Sequence, residues 1–463
     1  MQSTEPNSFM TTDIAYLTAK ELGERYAKRQ LSPVEVTRRV LARIEQLEPR
    51  INAFVLVDAD RALSAAHASE ERWLRDAPLG PLDGVPVSIK DLLLTRGWPT
   101  RSGSRTVDAA GRWEDDAPSV ARLREAGAVL LGKTTTSEFG LKGMGDSPLT
   151  GFTRNPWNRA HTPGGSSAGA VAATAAGLGA IAIGTDGGGS IRVPSAHTGV
   201  IGIKPTFGLV PTSPPAFVGV PPHVGPIARS VADLTLALRV LSLSDPRDPA
   251  QPTRAFKPLT LTEEAPLRIA YSRNLGYIDV DPDVASAFDE AIAALRGDGV
   301  QLEEADPGFS SPGTIQRRLF AARAAYTVRK LDAAQRARLD PVIVVAAEEG
   351  EMLSALDCLQ AEAERVELIA TLVRFHTRYD LLLTPTSAVT APLVDATSAA
   401  RESFAGPFSL SRQPALSIPI GLTNAGLPVG LQIVGRHHED ARVLALAERY
   451  ERQRPFQAPD LAV

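Results

Sequence analysis

Cysteine is almost absent: Cys358 is the one thiol in 463 residues. No internal disulfide can form, which points to a reducing compartment and so to the cytoplasm. Dense basic stretches are also missing, and the chain carries a net charge of −4 with an isoelectric point near 6.1. That excludes the electrostatic footprint of a nucleic-acid binder. The opening MQSTEPNSFMTTDIAYL holds neither a basic nor an apolar segment, so it does not read as a secretory signal. The longest apolar run, Ala168 to Gly184, is short and interrupted by glycine, which makes it core rather than a membrane span.

What is present describes a packed α/β protein. Hydrophobic residues make up 43% and charged residues 22%, ample for a large core. Residues 15–75 read as helices. Among them Ser32-Pro33-Val34-Glu35 has the form of a capping box with proline at the first helical position. Val85–Ile89 predicts a strand ending at Lys90-Asp91, Ser119–Glu125 a helix and Ala128–Leu131 a buried strand. The alternation continues to about residue 240, the pattern of a sheet covered on both faces. Pro211–Pro226 contains six prolines and reads as a stiffened loop. After a surface connection at Ser244–Pro249 come a strand-helix unit (Leu267–Tyr271, Pro282–Arg296) and an alanine-rich helical stretch, Ile315–Tyr379. Two further strands (Asp380–Thr384, Leu431–Val434) and a closing helix, Glu439–Arg452, complete the chain. The expected organisation is a single domain over 1–463. It comprises N-terminal helices (1–75), a core (76–240), a variable helical region (241–380) and C-terminal elements completing the sheet (381–463).

The chemistry concentrates in 164–192, which spends three serines and nine glycines on one stretch. Gly165-Ser166-Ser167-Ala168-Gly169 spells G-x-S-x-G, the nucleophile elbow of α/β-hydrolases, which needs a strand running into the serine. The preceding Asn155–Pro163 does not form one. Ser167 therefore reads as part of a glycine-rich turn opening a helix at Ser167–Leu178. Ser190 follows Gly187-Gly188-Gly189, where consecutive glycines let backbone amides converge on one point beside a hydroxyl, as a tetrahedral oxyanion requires. The alternative is an ordinary tight turn. A base for Ser190 could be Lys90, at the end of an apolar strand where α/β sites collect catalytic groups, or Lys90 could be a solvated surface residue. His437-His438-Glu439-Asp440 reads as a polar helix start rather than a metal site.

With those pieces in place the chain resembles the amidase signature hydrolases. The resemblance rests on GPLDGVPVSIKD (80–91), AGAVLLGKTTTSEFG (126–140), RNPWNRAHTPGGSSAGA (154–170), GTDGGGSIRVPSAHTGVIGIKPTFG (184–208) and GLPVGLQIVGR (426–436). It implies a central mixed β-sheet covered on both faces by helices. It also implies a Ser–cis-Ser–Lys triad with Ser190 as nucleophile, Ser166 as bridging serine after a cis peptide, and Lys90 as base. The amides of Gly187, Gly188, Gly189 and Ser190 would form the oxyanion hole, and Gly140 would face the substrate. Ser167, Asp186 and Arg192 would support these groups, the last two as an ion pair. Arg412 stands where many members carry glycine, and would narrow or charge one pocket wall.

By this resemblance the protein needs neither metal nor cofactor and cleaves C–N bonds of aryl or alkyl amides, with aryl esters and carbamates as further substrates. Its partners are small molecules, not nucleic acid or membrane, and a homodimer is compatible with it. The other class within the family is the glutaminase component of tRNA-dependent amidotransferases. The proline-rich, apolar LVPTSPPAFVGVPPHVGP (209–226) favours the stand-alone enzyme, with Pro211–Pro226 as a wall of the site. A catalytically dead scaffold is disfavoured because all three triad positions are filled.

Overall fold

A computed structural model of the chain describes residues 13–214, 222–249, 251, 256–258, 267–396, 403–459 and 461. The N-terminal helices are α1 (Ala19–Ala27) and α2 (Pro33–Ile51), followed after β1 (Phe54–Val57) by α3 (Ala59–Leu74). Ser32 Oγ accepts from Glu35 N at 3.1 Å and Pro33 sits in the first turn, so the helix starts where expected, but only this half of the expected capping box forms. The core then runs β2 (Pro86–Lys90), α4 (Pro118–Glu125) and β3 (Val129–Thr134), with a small ribbon of β4 (Asp146–Ser147) and β5 (Gly151–Phe152). Next come α5 (Ala168–Ala175), β6 (Ile181–Asp186), α6 (Arg192–Thr198), β7 (Ile201–Lys204), β8 (His223–Ala228) and α7 (Val231–Leu241). The variable region supplies β9 (Ile269–Tyr271), α8 (Pro282–Gly297) and β10 (Leu302–Glu304), then four helices: α9 (Gly313–Val328), α10 (Ala333–Arg336), α11 (Pro341–Glu351) and α12 (Ala355–Arg378). The chain finishes with β11 (Leu381–Pro385), α13 (Gly406–Leu410), β12 (Ala415–Leu422), β13 (Pro428–Gly435) and α14 (Asp440–Gln453).

All strands except the ribbon join one mixed sheet in the order β1-β3-β2-β6-β8-β7-β12-β13-β11-β9-β10, and helices flank it. Successive residues of β6 show how both faces are used. Ile181 and Ile183 enter the largest core cluster, whereas Ala182 packs with Ala170, Val171 and Ile191 from α5 and the segment before α6. Since β2 and β6 are parallel with Ser88 opposite Ala182, alternation puts Lys90 toward the α5 side. Asp91, one residue on, turns the other way and meets Lys133 at 3.5 Å.

Three elements differ from what the sequence predicts. Phe54–Val57 is a strand rather than part of a helical run, pairing antiparallel with β3 at the sheet edge. The end of the proline-rich segment, His223 to Pro226, opens β8 between β6 and β7. Proline is tolerated there because the pairing of β8 with β7 covers only Ile227 and Ala228, leaving Pro226 outside that ladder. Residues 215–221 of the proposed wall lie outside the described residues. The third is β12, which no sequence signal assigns. Among the described residues no helix is long and apolar enough to cross a membrane.

Candidate active site

Parallel pairing of β2 with β6 brings their C-terminal ends side by side, and two loops converge there. Lys90 closes β2, Thr185 and Asp186 close β6, and the segment carrying Ser166 and Ser167 leads into α5. The Gly165–Ser166 peptide is cis. Ser167 N donates to Ser190 O at 3.2 Å, which ties the α5 loop to the glycine run. The structure therefore gathers Lys90, Ser166, Ser167 and Ser190, residues separated by as many as 100 positions.

Lys90 is fully buried. Its Nζ lies 2.7 Å from Ser166 Oγ, 2.8 Å from Ser167 Oγ and 2.9 Å from Thr185 Oγ1. Burial pushes the amine well below its ordinary pKa, against the opposing pull of Asp186. The surface-residue alternative is thus excluded. A neutral amine has two N–H groups and one lone pair, so the three hydroxyls cannot play the same part. Ser167 Oγ donates to Thr185 O at 3.2 Å and can only accept from the lysine. Thr185 Oγ1 accepts the second N–H, which leaves the lone pair for the Ser166 hydroxyl proton. Among the described residues Ser190 Oγ makes no hydrogen bond. The link between the two serines is open, as catalytic hydrogen bonds often are before substrate binds.

The glycine run is pinned from beneath. Asp186 and Arg192 are both fully buried, and their bidentate pair measures 2.9 Å at each contact. The guanidinium also donates to Gln432 Oε1 and Ser409 Oγ, both at 2.7 Å. Burial would raise the Asp186 carboxyl, but Arg192 outweighs it and holds the group well below the usual carboxylate range. His223 Nδ1 lies 3.0 Å from Asp186 O, so this histidine braces the run from β8 instead of walling an entrance.

One oxyanion assignment needs correction. Gly189 N donates to Asp186 Oδ1 at 2.8 Å and Ile191 N to Oδ2 at 3.2 Å, because a buried carboxylate must fill its lone pairs. The amides of Gly187, Gly188 and Ser190 make no hydrogen bond among the described residues and are left free to donate. Gly189 is needed for another reason. It sits at φ +126°, and an added Cβ would meet Ala405 at 2.9 Å. Asp186→Asn is expected to cost about 3–5 kcal/mol, because it leaves the Arg192 charge buried without its counter-ion. The urea midpoint measures it, and an unchanged midpoint would mean that Ser409 and Gln432 alone satisfy Arg192.

The rim is approached from two sides, by the Gly140 loop and by α9. Gly140, at φ +69°, runs so close that an added Cβ would lie 3.4 Å from Ser166 Oγ and 2.8 Å from Leu92. The Gln316 carboxamide and the Phe320 ring of α9 cover Gly188: a Cβ there would meet Gln316 Nε2 at 2.6 Å and Phe320 at 3.4 Å. Arg412 adopts φ 66°, a left-handed conformation that suits glycine. Its guanidinium stacks on Phe207, 4.8 Å from the ring centroid. Thr185, Gln316 and Phe320 are not legible as site residues in the sequence. Thr185 lies inside the 184–208 block with no role attached to it, and the α9 pair carries no local signal at all.

Known proteins resemble this chain over nearly its full length. A family model described as amidase matches residues 35–444. An acylamidase of Rhodococcus erythropolis is 37% identical, the match covering 96% of this chain and 97% of that protein. The A chain of the glutamyl-tRNA(Gln) amidotransferase of Geotalea daltonii is 33% identical over 94% of this chain and 96% of its own. Among solved structures, a bacterial aryl acylamidase of the amidase signature enzymes superposes with a TM-score of 0.88 at 29% identity. That superposition covers 96% of this chain and 97% of the other.

Proposed function

Because the chain belongs to the amidase signature family and is an amide-hydrolysing enzyme, we propose that it is a stand-alone acylamidase working through an acyl-enzyme on Ser190. The observation that carries this reading is the fully buried Lys90, its amine pushed down by burial, with Ser166 2.7 Å away, beside three uncommitted amides. Lys90 takes the Ser166 proton as Ser166 takes that of Ser190. Ser190 Oγ bonds to the substrate carbonyl carbon, and the oxyanion is held by the amides of Gly187, Gly188 and Ser190. The proton travels back along the relay to the amine as the C–N bond breaks. Water then repeats the sequence and releases the acid. An ester or carbamate carbonyl presents the same electrophile, so aryl esters and carbamates are further substrates.

The rim supports aryl or alkyl groups, since Phe320 and Leu92 face Gly188 and Gly140 and a charged group buried there without a partner is costly. The second reading, the glutaminase component of an amidotransferase, is favoured by the amidotransferase relatives. Comparing kcat/KM for an acyl anilide with that for glutamine decides between them. The acylamidase reading expects the anilide to be preferred by at least about 100-fold, and a preference for glutamine overturns it.

A further inference from the structure

Helix α9 carries a carboxamide to the glycine run and leaves it unused. Ile315 and Leu319 are buried in a core cluster with Leu368 and Leu372 of α12. The next stripe round the helix, Gln316 with Phe320 one turn on, faces Gly188. The Gln316 carboxamide lies between two glycines. A Cβ on Gly188 would meet its Nε2 at 2.6 Å, and one on Gly406 would overlap its Oε1. Gln316 is half-buried, and its side chain makes no hydrogen bond among the described residues. Polar groups held against backbone in this way are normally paired. The helix is also held from the opposite wall of the site. It packs so closely on α11 that a Cβ on Gly350 would overlap Ala321 O. Asp340, the N-cap of α11, donates its backbone N–H to Glu138 Oε2 at 2.7 Å, and Ser104 Oγ donates to Oε1 at 2.6 Å. Glu138 is fully buried and stands two residues before Gly140. Gln316 is thus fixed relative to the Gly140 loop as well as to Gly188, as a group that reads a substrate must be.

The chemistry of the scissile bond says what this carboxamide meets. An oxyanion has three lone pairs, and the amides of Gly187, Gly188 and Ser190 already offer three donors. A further donor has little left to bind. A secondary amide also brings an N–H, which none of those amides can accept and which is costly to bury unpaired. An ester offers only lone pairs at that position. No hydrogen bond fixes the rotation of the Gln316 carboxamide, so its oxygen is free to turn to the substrate. We propose that Gln316 Oε1 accepts the N–H of the scissile amide, which makes Gln316 the residue that selects amides over esters. The inference rests on the acyl-enzyme reading above. Holding the N–H also fixes the side of the nitrogen on which its lone pair forms, and that lone pair receives the returning proton.

The test reads a ratio: kcat/KM for an acyl anilide over that for the phenyl ester of the same acid. Gln316→Met, similar in length but without an amide, is expected to lower the ratio about 10-fold, the scale of one hydrogen bond left unmade. Gln316→Glu keeps an acceptor and loses the donors, so it should hold the ratio within about threefold of the parent while its charge slows both substrates. N-methylation of the anilide removes the N–H from the other partner. It should cost the parent about 10-fold more than it costs Gln316→Met, as a coupled pair requires. A general loss of fold, followed by far-UV circular dichroism, would slow both substrates and leave the ratio standing. An unchanged ratio in Gln316→Met overturns the proposal, whether both rates fall together, as for an oxyanion donor, or neither moves. So does a ratio that falls as far in Gln316→Glu. A parent that prefers glutamine overturns the acylamidase reading alone, and the same ratio is then read with glutamine against glutamate γ-methyl ester.

Discussion

Replacing Ser190 with alanine is expected to lower kcat for an acyl anilide by about 10⁴-fold or more, the scale on which removal of a covalent nucleophile acts. Ser190 belongs to a run whose free amides, at Gly187, Gly188 and Ser190 itself, have no partner among the described residues. Alanine should leave the fold intact, since the Ser190 side chain makes no hydrogen bond there. Ser167→Ala should cost far less. Its hydroxyl sits 2.8 Å from Lys90 Nζ and donates to Thr185 O, so its loss loosens the lysine cage without removing the bond-forming atom. A sulfonyl fluoride or phosphonate should label Ser190, read by peptide mass mapping. Label on Ser167, or an active Ser190→Ala enzyme, would return the nucleophile to the G-x-S-x-G motif.

The second large effect concerns the proton. Lys90→Ala is expected to reduce amide hydrolysis by about 10³-fold, within the range for a positioned base, while an activated aryl ester loses at least tenfold less. An amine leaves only if the proton comes back to it, whereas a phenolate leaves without one. Equal losses on both substrates, with circular dichroism unchanged, would argue against a relay through Lys90. The pH profile carries the same information. Burial holds the amine well below its ordinary value, and only the neutral form accepts a proton. Activity therefore falls as pH drops through the folded-state pKa and is full above it. The limb should have unit slope in kcat/KM and vanish in Lys90→Ala, leaving a flat residual rate. Stability has a matching sign. The unfolded chain binds a proton that folded Lys90 does not, so this group's contribution rises with pH until its ordinary value is passed.

How much of the site is legible in the sequence depends on whether a signal is local. Ser190 stands out because a glycine run marks it and Lys90 because it ends an apolar strand, whereas Ser166 is picked out only by the resemblance to the amidase signature hydrolases. The cage around Lys90 is only half legible, since Thr185 takes its place through the register of β2 against β6. Gly189 needs correction as an oxyanion donor because a run of glycines says nothing about which amide a buried carboxylate will claim. Gln316 and Phe320 reach Gly188 from more than 120 positions away, carried by a helix whose sequence reads as generic alanine-rich surface. Strand β1 has four residues at an edge, and β8 carries a proline, so both fall below what periodicity resolves.

The sheet order sets when the enzyme can switch on during translation. Strands β1, β3, β2, β6, β8 and β7 make one contiguous block from residues 54–228, and β11, β9 and β10 make another. The hairpin β12–β13 is the wedge between them, and it leaves the ribosome after both. Gln432 on that hairpin and Ser409 just before it are also the groups that complete Arg192. A nascent chain lacking them has two open sheet edges and an unfinished clamp beneath the glycine run. At roughly 5–20 residues per second, synthesis as far as the hairpin takes on the order of half a minute or longer. Hydrolysis is expected only once the hairpin is in place, and until then the exposed strand edges are the surfaces most open to wrong pairing.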